Sequence, residues 1–383
     1  MQATLNRQAG KRLPELDGIR GWAALAVLLY HFVGEVFGVR FPHFQNPVLT
    51  CLNGRLAVAI FFVLSGEALS SGFFAGRGID QVTGLALRRI PRLLIPIVAV
   101  SAIVFTLVTV GLTFNVEAGQ IVRRSAWLSQ MALAPMSLTG MISFATHGVF
   151  LSSDPNEQYG PFLWTMSIEL LGSIVTFVIL FAWSSTRHMP ALVVSLAGLL
   201  LLATFPCGMY ADFLLGIWIA YARSVGIVQR WATNRLMIAA SYVILPVGAL
   251  ASGFAMATHY DGVISPVIAP IVVIAIFCNP LAMWVLSGRF SRFLGKVSFP
   301  VYLVHFPVLI SLTSFAIVWC EHRGLLNGAT AFAIAVGSIV ISIAAAIAFE
   351  PVEVFTKRVG QRITRAFLIQ RTAKAPVVPS AMA

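Results

Sequence analysis

The chain has 383 residues, of which 58% are hydrophobic and 10% charged, against about 25% charged in an ordinary soluble domain. That balance excludes a water-soluble globular protein and predicts an all-α, polytopic integral membrane protein. The net charge of +12 would point to nucleic acid in a soluble chain, but here it resolves into a topological pattern.

Residues 1–15 read as a cytoplasmic N-terminal segment, 16–350 as the membrane domain, and 351–383 as a basic cytoplasmic tail, Ala/Pro/Val-rich and disordered after Arg371. The start of the chain imitates a signal peptide. It has no small-residue cleavage site, and cleavage would remove Arg20 and His31, so it reads as a retained first span. Apolar runs of membrane length fall at about 18–37, 55–74, 93–113, 162–183, 190–206, 209–223, 236–256, 264–286, 297–318 and 328–349. The fifth and sixth are joined by a tight turn at Pro206-Cys207-Gly208. Between the third and fourth lies a less apolar stretch, 114–160, with Arg123, Arg124, Asp154 and Glu157. Its moderately hydrophobic part, 126–150, reads as re-entrant or interfacial.

Basic residues set the orientation. With ten spans and both termini in the cytoplasm, 20 of the 26 Lys and Arg residues fall in inner segments and five (Arg40, Arg55, Arg123, Arg124, Arg323) in outer ones, with Arg20 at the inner end of the first span. The cytoplasmic membrane is the expected location. A full crossing by 126–150 would invert everything after it and abolish this asymmetry.

The polar residues that interrupt the apolar runs carry the functional argument. LDGIRGWAALAVLLYHF (Leu16 to Phe32) puts an acid, an arginine and a histidine into one apolar helix. Arg20 and His31 are eleven residues apart, three turns plus roughly 20°, so they share a face about 16 Å apart along the axis. A polar face of that kind belongs toward a protein-lined cavity. Glu35, one turn beyond His31, is placed to orient the imidazole. Arg88, Arg89 and Arg92, in RRIPR just before the third span, read either as a positive-inside anchor or as a fork for phosphates. Asp17 lies near them at the inner mouth, and Arg20 paired with Asp17 or Glu15 is the structural alternative there. FFVLSGEALS (Phe61 to Ser70) breaks the second span with Ser65-Gly66 and carries Glu67 near mid-membrane, where it must be paired or protonated. LWTMSIE (Leu163 to Glu169) brings Trp164 and Glu169 in from the outer side, Glu169 facing the cavity of His31. VYLVHFP (Val301 to Pro307) places Tyr302 and His305 in the ninth span, loosened by Pro307. His43, His147, His188, His259 and His322 fall in loops or near span ends and take no role.

The four cysteines (Cys51, Cys207, Cys278, Cys320) are scattered, without metal spacing. One disulfide near the outer face is an open alternative. No metal cluster, Gly-rich phosphate loop or GxSxG elbow is present.

LDGIRGWAALAVLLYHF, FFVLSG, RRIPR, FLWTMSIE, FLLGIWIA (Phe213 to Ala220), FLGKVSFPVYLVHFP (Phe293 to Pro307) and FEPVE (Phe349 to Glu353) together resemble the membrane acyltransferase-3 family, in order and over nearly the whole chain. Arg20 and His31 match its arginine–histidine pair in the first helix, and Arg88, Arg89 and Arg92 its RRxxR motif. The resemblance implies O-acylation, usually acetylation, of an extracytoplasmic carbohydrate from a cytoplasmic acyl-CoA. Acceptors in the family include O-antigens, exopolysaccharides, lipo-chitooligosaccharides and macrolides. Two departures touch acceptor choice. Glu67 stands where the family carries an aromatic or aliphatic residue, and Glu169-Leu-Leu-Gly-Ser stands in place of a more aromatic run. The appended SGNH-type domain of some members is not expected after the last helix.

On this reading Arg88, Arg89 and Arg92, with Arg20, hold the CoA phosphates, and Asp17, Ser65, Glu67, Trp164, Tyr302 and His305 line the substrate path. His31 is the general base or carries the acyl group covalently. Glu35, Glu67 or Glu169 polarises it, as the acid does in a Ser-His-Asp triad. The competing reading is a secondary transporter or flippase for a glycolipid or small anion, using the same residues as a substrate or proton path. A weaker third is a non-catalytic sensor.

Overall fold

The computed structural model describes residues 14–45, 53–151, 158–185, 209–258 and 260–373. The expected fifth span, its turn at Pro206–Gly208, Cys51 and Cys207 lie outside these residues. The described residues hold helices and no strand. The long helices are α1 (Pro14–Leu29), α2 (Gly54–Gly72), α3 (Gly78–Thr109), α4 (Thr165–Ser185), α5 (Met209–Ser224), α6 (Arg235–Ala257), α7 (Asp261–Cys278), α8 (Arg289–Val308), α9 (Gly328–Ala348) and α10 (Glu350–Ala373). Six helical segments among the described residues are long and apolar enough to cross a membrane, or up to eight if two bent pairs each count as one span. One of the six, Gly54–Thr109, contains both α2 and α3 and so both the second and third expected spans.

Local sequence explains where these helices begin. Asn53 caps α2, its side chain accepting from Arg55 N at 2.8 Å and Leu56 N at 3.4 Å. Asn234 caps α6 in the same way, and Asn327 with Thr330 forms a capping box at α9. Between α2 and α3 the chain turns at Gly76 and Gly78, with φ of 83° and 71°, a conformation only glycine adopts without strain.

Two features depart from the sequence expectation, and a third bears on the stretch between the third and fourth spans. First, α3 starts at Gly78 and runs through Pro91, so RRIPR lies within a continuous helix and not before it. Second, the eighth span breaks: Pro280 opens a new helix behind an Asn279 cap, bent by 92° from α7. Third, residues 114–151 form short helices, the longest apolar one being Leu138–Leu151, too short to cross a bilayer. This cap is tied down by Asn115, whose Nδ2 donates to the carbonyls of Leu128 (3.1 Å) and Met131 (2.6 Å), and by Phe114 N donating to Ile310 O at 2.9 Å. Cys278 and Cys320 are free thiols.

Lipid supplies no hydrophobic drive between helices, so close packing of small residues must hold them together. One such contact joins α1 to α8. A Cβ on Gly295 would sit 2.1 Å from Asp17 O, and one on Gly21 would sit 2.5 Å from Gly295 N. His31 lies ten residues after Gly21, and His305 ten residues after Gly295. The two histidine rings also meet, with centres 5.5 Å apart. Equal offsets from one backbone contact to another mean that α1 and α8 run parallel and in register, over about 15 Å.

A second backbone contact joins α2 to α5, where a Cβ on Gly66 would fall 2.1 Å from Phe213 O and one on Gly216 2.1 Å from Val63 O. An ion-pair network locks this junction to α1. Arg223 Nη1 meets Glu67 Oε1 at 2.9 Å, its Nη2 reaches Glu15 Oε1 at 3.3 Å, and its guanidinium lies 4.8 Å above the ring of Phe277. Glu67 is 1% exposed, so the acid expected in the substrate path is instead the buried anion of a structural pair, which explains its departure from an apolar residue.

Two outcomes are expected. Gly295→Ala, with no room against Asp17 O, should destabilise the fold by about 1–3 kcal/mol, the cost of overpacking, read as a lowered thermal midpoint in detergent. Arg223→Met alone leaves Glu67 buried and uncompensated and should cost about 3–5 kcal/mol, whereas Arg223→Met with Glu67→Leu should regain most of it.

Candidate active site

The polar residues of α1 define successive levels along the helix. Arg20 stands at the one nearest its N-terminus. Its Nη2 donates to Leu64 O at 3.1 Å, and its charged neighbours are Glu169, Asp17, Glu67 and Arg89. Arg89 is buried on α3. Its Nε donates to Ser173 Oγ at 2.7 Å and its Nη2 pairs with Glu169 Oε1, which also accepts from Ser65 Oγ at 2.9 Å. Arg92, one turn further along α3, is exposed and shares this field with Arg89, Arg20, Glu169 and Glu353. Arg88 is half-buried. Its Nε bonds back to Gly84 O at 2.7 Å, and its stem packs beneath Gly360 of α10, where a Cβ would come within 3.1 Å of it.

The predicted arginines are therefore brought together, but they are not equivalent. Arg89 is committed to Glu169 and Ser173. Arg20 and Arg92 have unspent donor capacity, since a guanidinium carries five N–H groups. Glu169, expected to polarise His31, is the counter-ion of this cluster, and Ser65 is its third partner. Glu353, from the FEPVE motif at the start of α10, is the one carboxylate in Arg92's surroundings that the sequence reading had not placed at the site.

His31 stands three turns above, where α1 passes into a π-helical turn, Tyr30–Glu35. The i→i+5 register of that turn rotates Glu35 away from the position a regular helix would give it. Glu35 pairs with Arg124 of the short-helix cap, and His31 Nδ1 is buried with no hydrogen-bond partner. The expected Glu35–His31 contact is thus not formed. Arg124 instead closes the end of the site beyond His31, its guanidinium 5.0 Å above the ring of Trp127.

His31 belongs to a set of four near-parallel rings with Phe162, His305 and Trp127. His31 stacks on Phe162 with ring centres 4.2 Å apart, Phe162 on His305 at 5.0 Å, and the two histidines are 5.5 Å apart, all within 24° of parallel. Trp127 is 6.2 Å from both His31 and Phe162. Rings on opposite faces of Phe162 would be separated by at least about 7 Å, twice a carbon contact distance, so both histidines lie over the same face. Phe162 is fixed in turn. Tyr302 Oη donates to the carbonyl of Phe162, and therefore accepts from Thr165 Oγ1 at 2.6 Å. Tyr302, expected to touch substrate, holds the platform beneath the histidines. Trp164, two residues after Phe162, is half-buried against the core and makes no ring contact with either histidine.

His305 is fully buried. Its Nδ1 faces Val301 O at 3.3 Å. A carbonyl only accepts, so Nδ1 bears the proton and Nε2 is a lone-pair acceptor, and that Nε2 has no partner. Sequence reasoning missed Phe162, Thr165, Trp127, Arg124 and Arg223. Phe162 and Thr165, both in FLWTMSIE, sit in a motif it had singled out. Among the described residues, no group of three or more His, Cys, Asp or Glu is arranged to hold a metal.

The model of a family described as an acyltransferase domain, acyltransferase-3, matches residues 13–349. A curated relative, O-acetyltransferase PaAT-1 of Phomopsis amygdali, is 24% identical over 369 residues, covering 78% of this chain and 72% of its own. No solved structure matches the chain. The match takes in α1 with Arg20 and His31, the arginines of α3 and the His305 helix, and on that extent the chain belongs to the acyltransferase-3 family.

Proposed function

We propose that the protein is a transmembrane O-acyltransferase of the cytoplasmic membrane. It moves an acyl group, acetyl in the first instance, from a cytoplasmic acyl-CoA to a hydroxyl of an extracytoplasmic or membrane-linked carbohydrate such as an exopolysaccharide, O-antigen or lipo-oligosaccharide. The observation that carries this reading is the arrangement on α1: an imidazole with open hydrogen-bonding capacity in a ring-lined pocket, about 16 Å above a cluster of arginines. The family and the O-acetyltransferase relative support the reaction class. The separation suits a donor whose charged end and reactive thioester are joined by a long, thin arm.

In this mechanism Arg20 and Arg92, with Arg88 beside them, offer charge-assisted hydrogen bonds to the donor's phosphates. Arg89 and Glu169 hold that cluster in place. The acceptor reaches the rings from the outer side, past Trp127 and Arg124. His31 takes the proton of its hydroxyl as that oxygen attacks the thioester carbon. The C–S bond breaks, the acyl group passes to oxygen, and the thiolate leaves, to be protonated by the imidazolium or by water. A neutral imidazole is suited to this step at ordinary pH.

The test is transfer of labelled acetyl from acetyl-CoA to surface glycan in membrane vesicles, with the product identified by its mass shift. His31→Ala and His31→Gln should keep CoA binding and lose detectable transfer, since positioned acid–base catalysis contributes about 10²–10⁴-fold. Wild-type rates in His31→Ala, or movement of unmodified glycolipid with no mass shift, would overturn the proposal. Arg92→Ala should weaken acyl-CoA binding by about 1.5–3 kcal/mol, the scale of a hydrogen bond to a charged group, with lysine restoring only part of it. Arg89→Ala should lower the thermal midpoint as well, because it strands Glu169.

A further inference from the structure

The orienting partner that His31 lacks on its own helix is available on the parallel one. Its Nδ1 is buried and unpartnered, as is His305 Nε2. Both rings lie over one face of Phe162, 5.5 Å apart centre to centre and with planes 24° from parallel. The Val301 carbonyl fixes the His305 tautomer so that its free nitrogen can only accept. An orphaned buried polar atom is costly, and two in adjacent rings, one able to donate and one confined to accepting, suit each other. Catalytic hydrogen bonds are often long in the unliganded state and tighten when substrate is bound.

We propose that His305 is the positioning residue of a His31–His305 imidazole dyad. When the site is loaded, His31 Nδ1–H donates to His305 Nε2. This sets the tautomer of His31 so that its Nε2 carries the lone pair that takes the acceptor's proton. The positive charge that develops on His31 is then shared along the hydrogen bond. The dyad takes the place of an acid–histidine pair, Glu35 being held by Arg124 and Glu169 by Arg89. Phe162, clamped by Tyr302 and Thr165, keeps the two rings side by side. The inference rests on the assignment of His31 as the reacting base.

The experiment compares His305→Gln with His305→Met in the full-length protein, using the acetyl-transfer assay with kcat and KM measured separately. The two side chains have similar length and volume, but only glutamine has an oxygen that can accept from His31. His305→Met should lose about 10²-fold in kcat with KM for acetyl-CoA within twofold of wild type, and His305→Gln should recover at least tenfold of that loss. Thermal midpoints are measured for both, and a fall confined to Met does not affect the reading as long as folded, CoA-binding protein is assayed. Equal losses in Gln and Met, a kcat near wild type in Met, or an effect seen only in KM for the acceptor would overturn the dyad. Failure of the underlying reading looks different: His31→Ala is then active, whatever His305 variants do.

Discussion

The backbone contact between Gly21 and Gly295 is the constraint on which the site depends. Neither position tolerates a Cβ, and in lipid such approach is what holds helices together. Because the first helix and the ninth expected span run parallel from that point, equal numbers of residues carry both chains to the same level. His31 and His305 meet there without any direct bond between them. Both helices pass into π turns near this level, Tyr30–Glu35 after α1 and Leu309–Thr313 after α8. Such turns often mark functional sites. Here the first of them redirects Glu35 to Arg124 and leaves the imidazole without a partner on its own helix.

Electrostatics divides the remaining polar residues into levels with different duties. At the Glu67 level, Arg223 bridges Glu67 and Glu15 and serves the fold. At the Arg20 level, Arg20 and Arg92 keep open N–H groups after Arg89 and Glu169 have paired, which makes it suited to an anionic ligand. At the His31 level the groups are neutral and aromatic. Beyond His31, Arg124–Glu35 ties the short-helix cap to the first helix, and Arg40, in the turn after that helix, pairs with Glu321 at the end of the His305 helix and donates to Ile121 O of the cap. Charge is thus concentrated where a ligand's charge would be held and absent where the acyl group would be transferred, so the reactive nitrogens stand in surroundings of low polarity.

Much of this was legible in the sequence because intramembrane polar residues are expensive and stand out. The helical spacing of Arg20 and His31, the RRIPR arginines and His305 needed no structure to be noticed. Pairing was not legible. Nothing local in the sequence says that Glu67 belongs to Arg223, 156 residues later, or Glu35 to Arg124. The Glu35 assignment failed because it assumed α-helical projection through a π turn. The role of Phe162 was hidden because an aromatic residue at the head of a span is ordinary, and its meaning comes only from the two histidines above it and the Tyr302 bond below. RRIPR reads as preceding a span because the apolar run begins after it, at about 93, whereas α3 starts at Gly78 and continues through Pro91.

The central claim is that a donor lies along α1, phosphates on the arginines and thioester at the histidines. It is tested most directly by an experimental structure of the membrane-embedded protein bound to a non-reactive thioether analogue of acetyl-CoA. The account predicts phosphate oxygens within hydrogen-bond distance of Arg20 and Arg92, and the acyl carbon beside His31 over the face of Phe162. Phosphates bound away from α3, or an acyl group with no approach to His31, would contradict it.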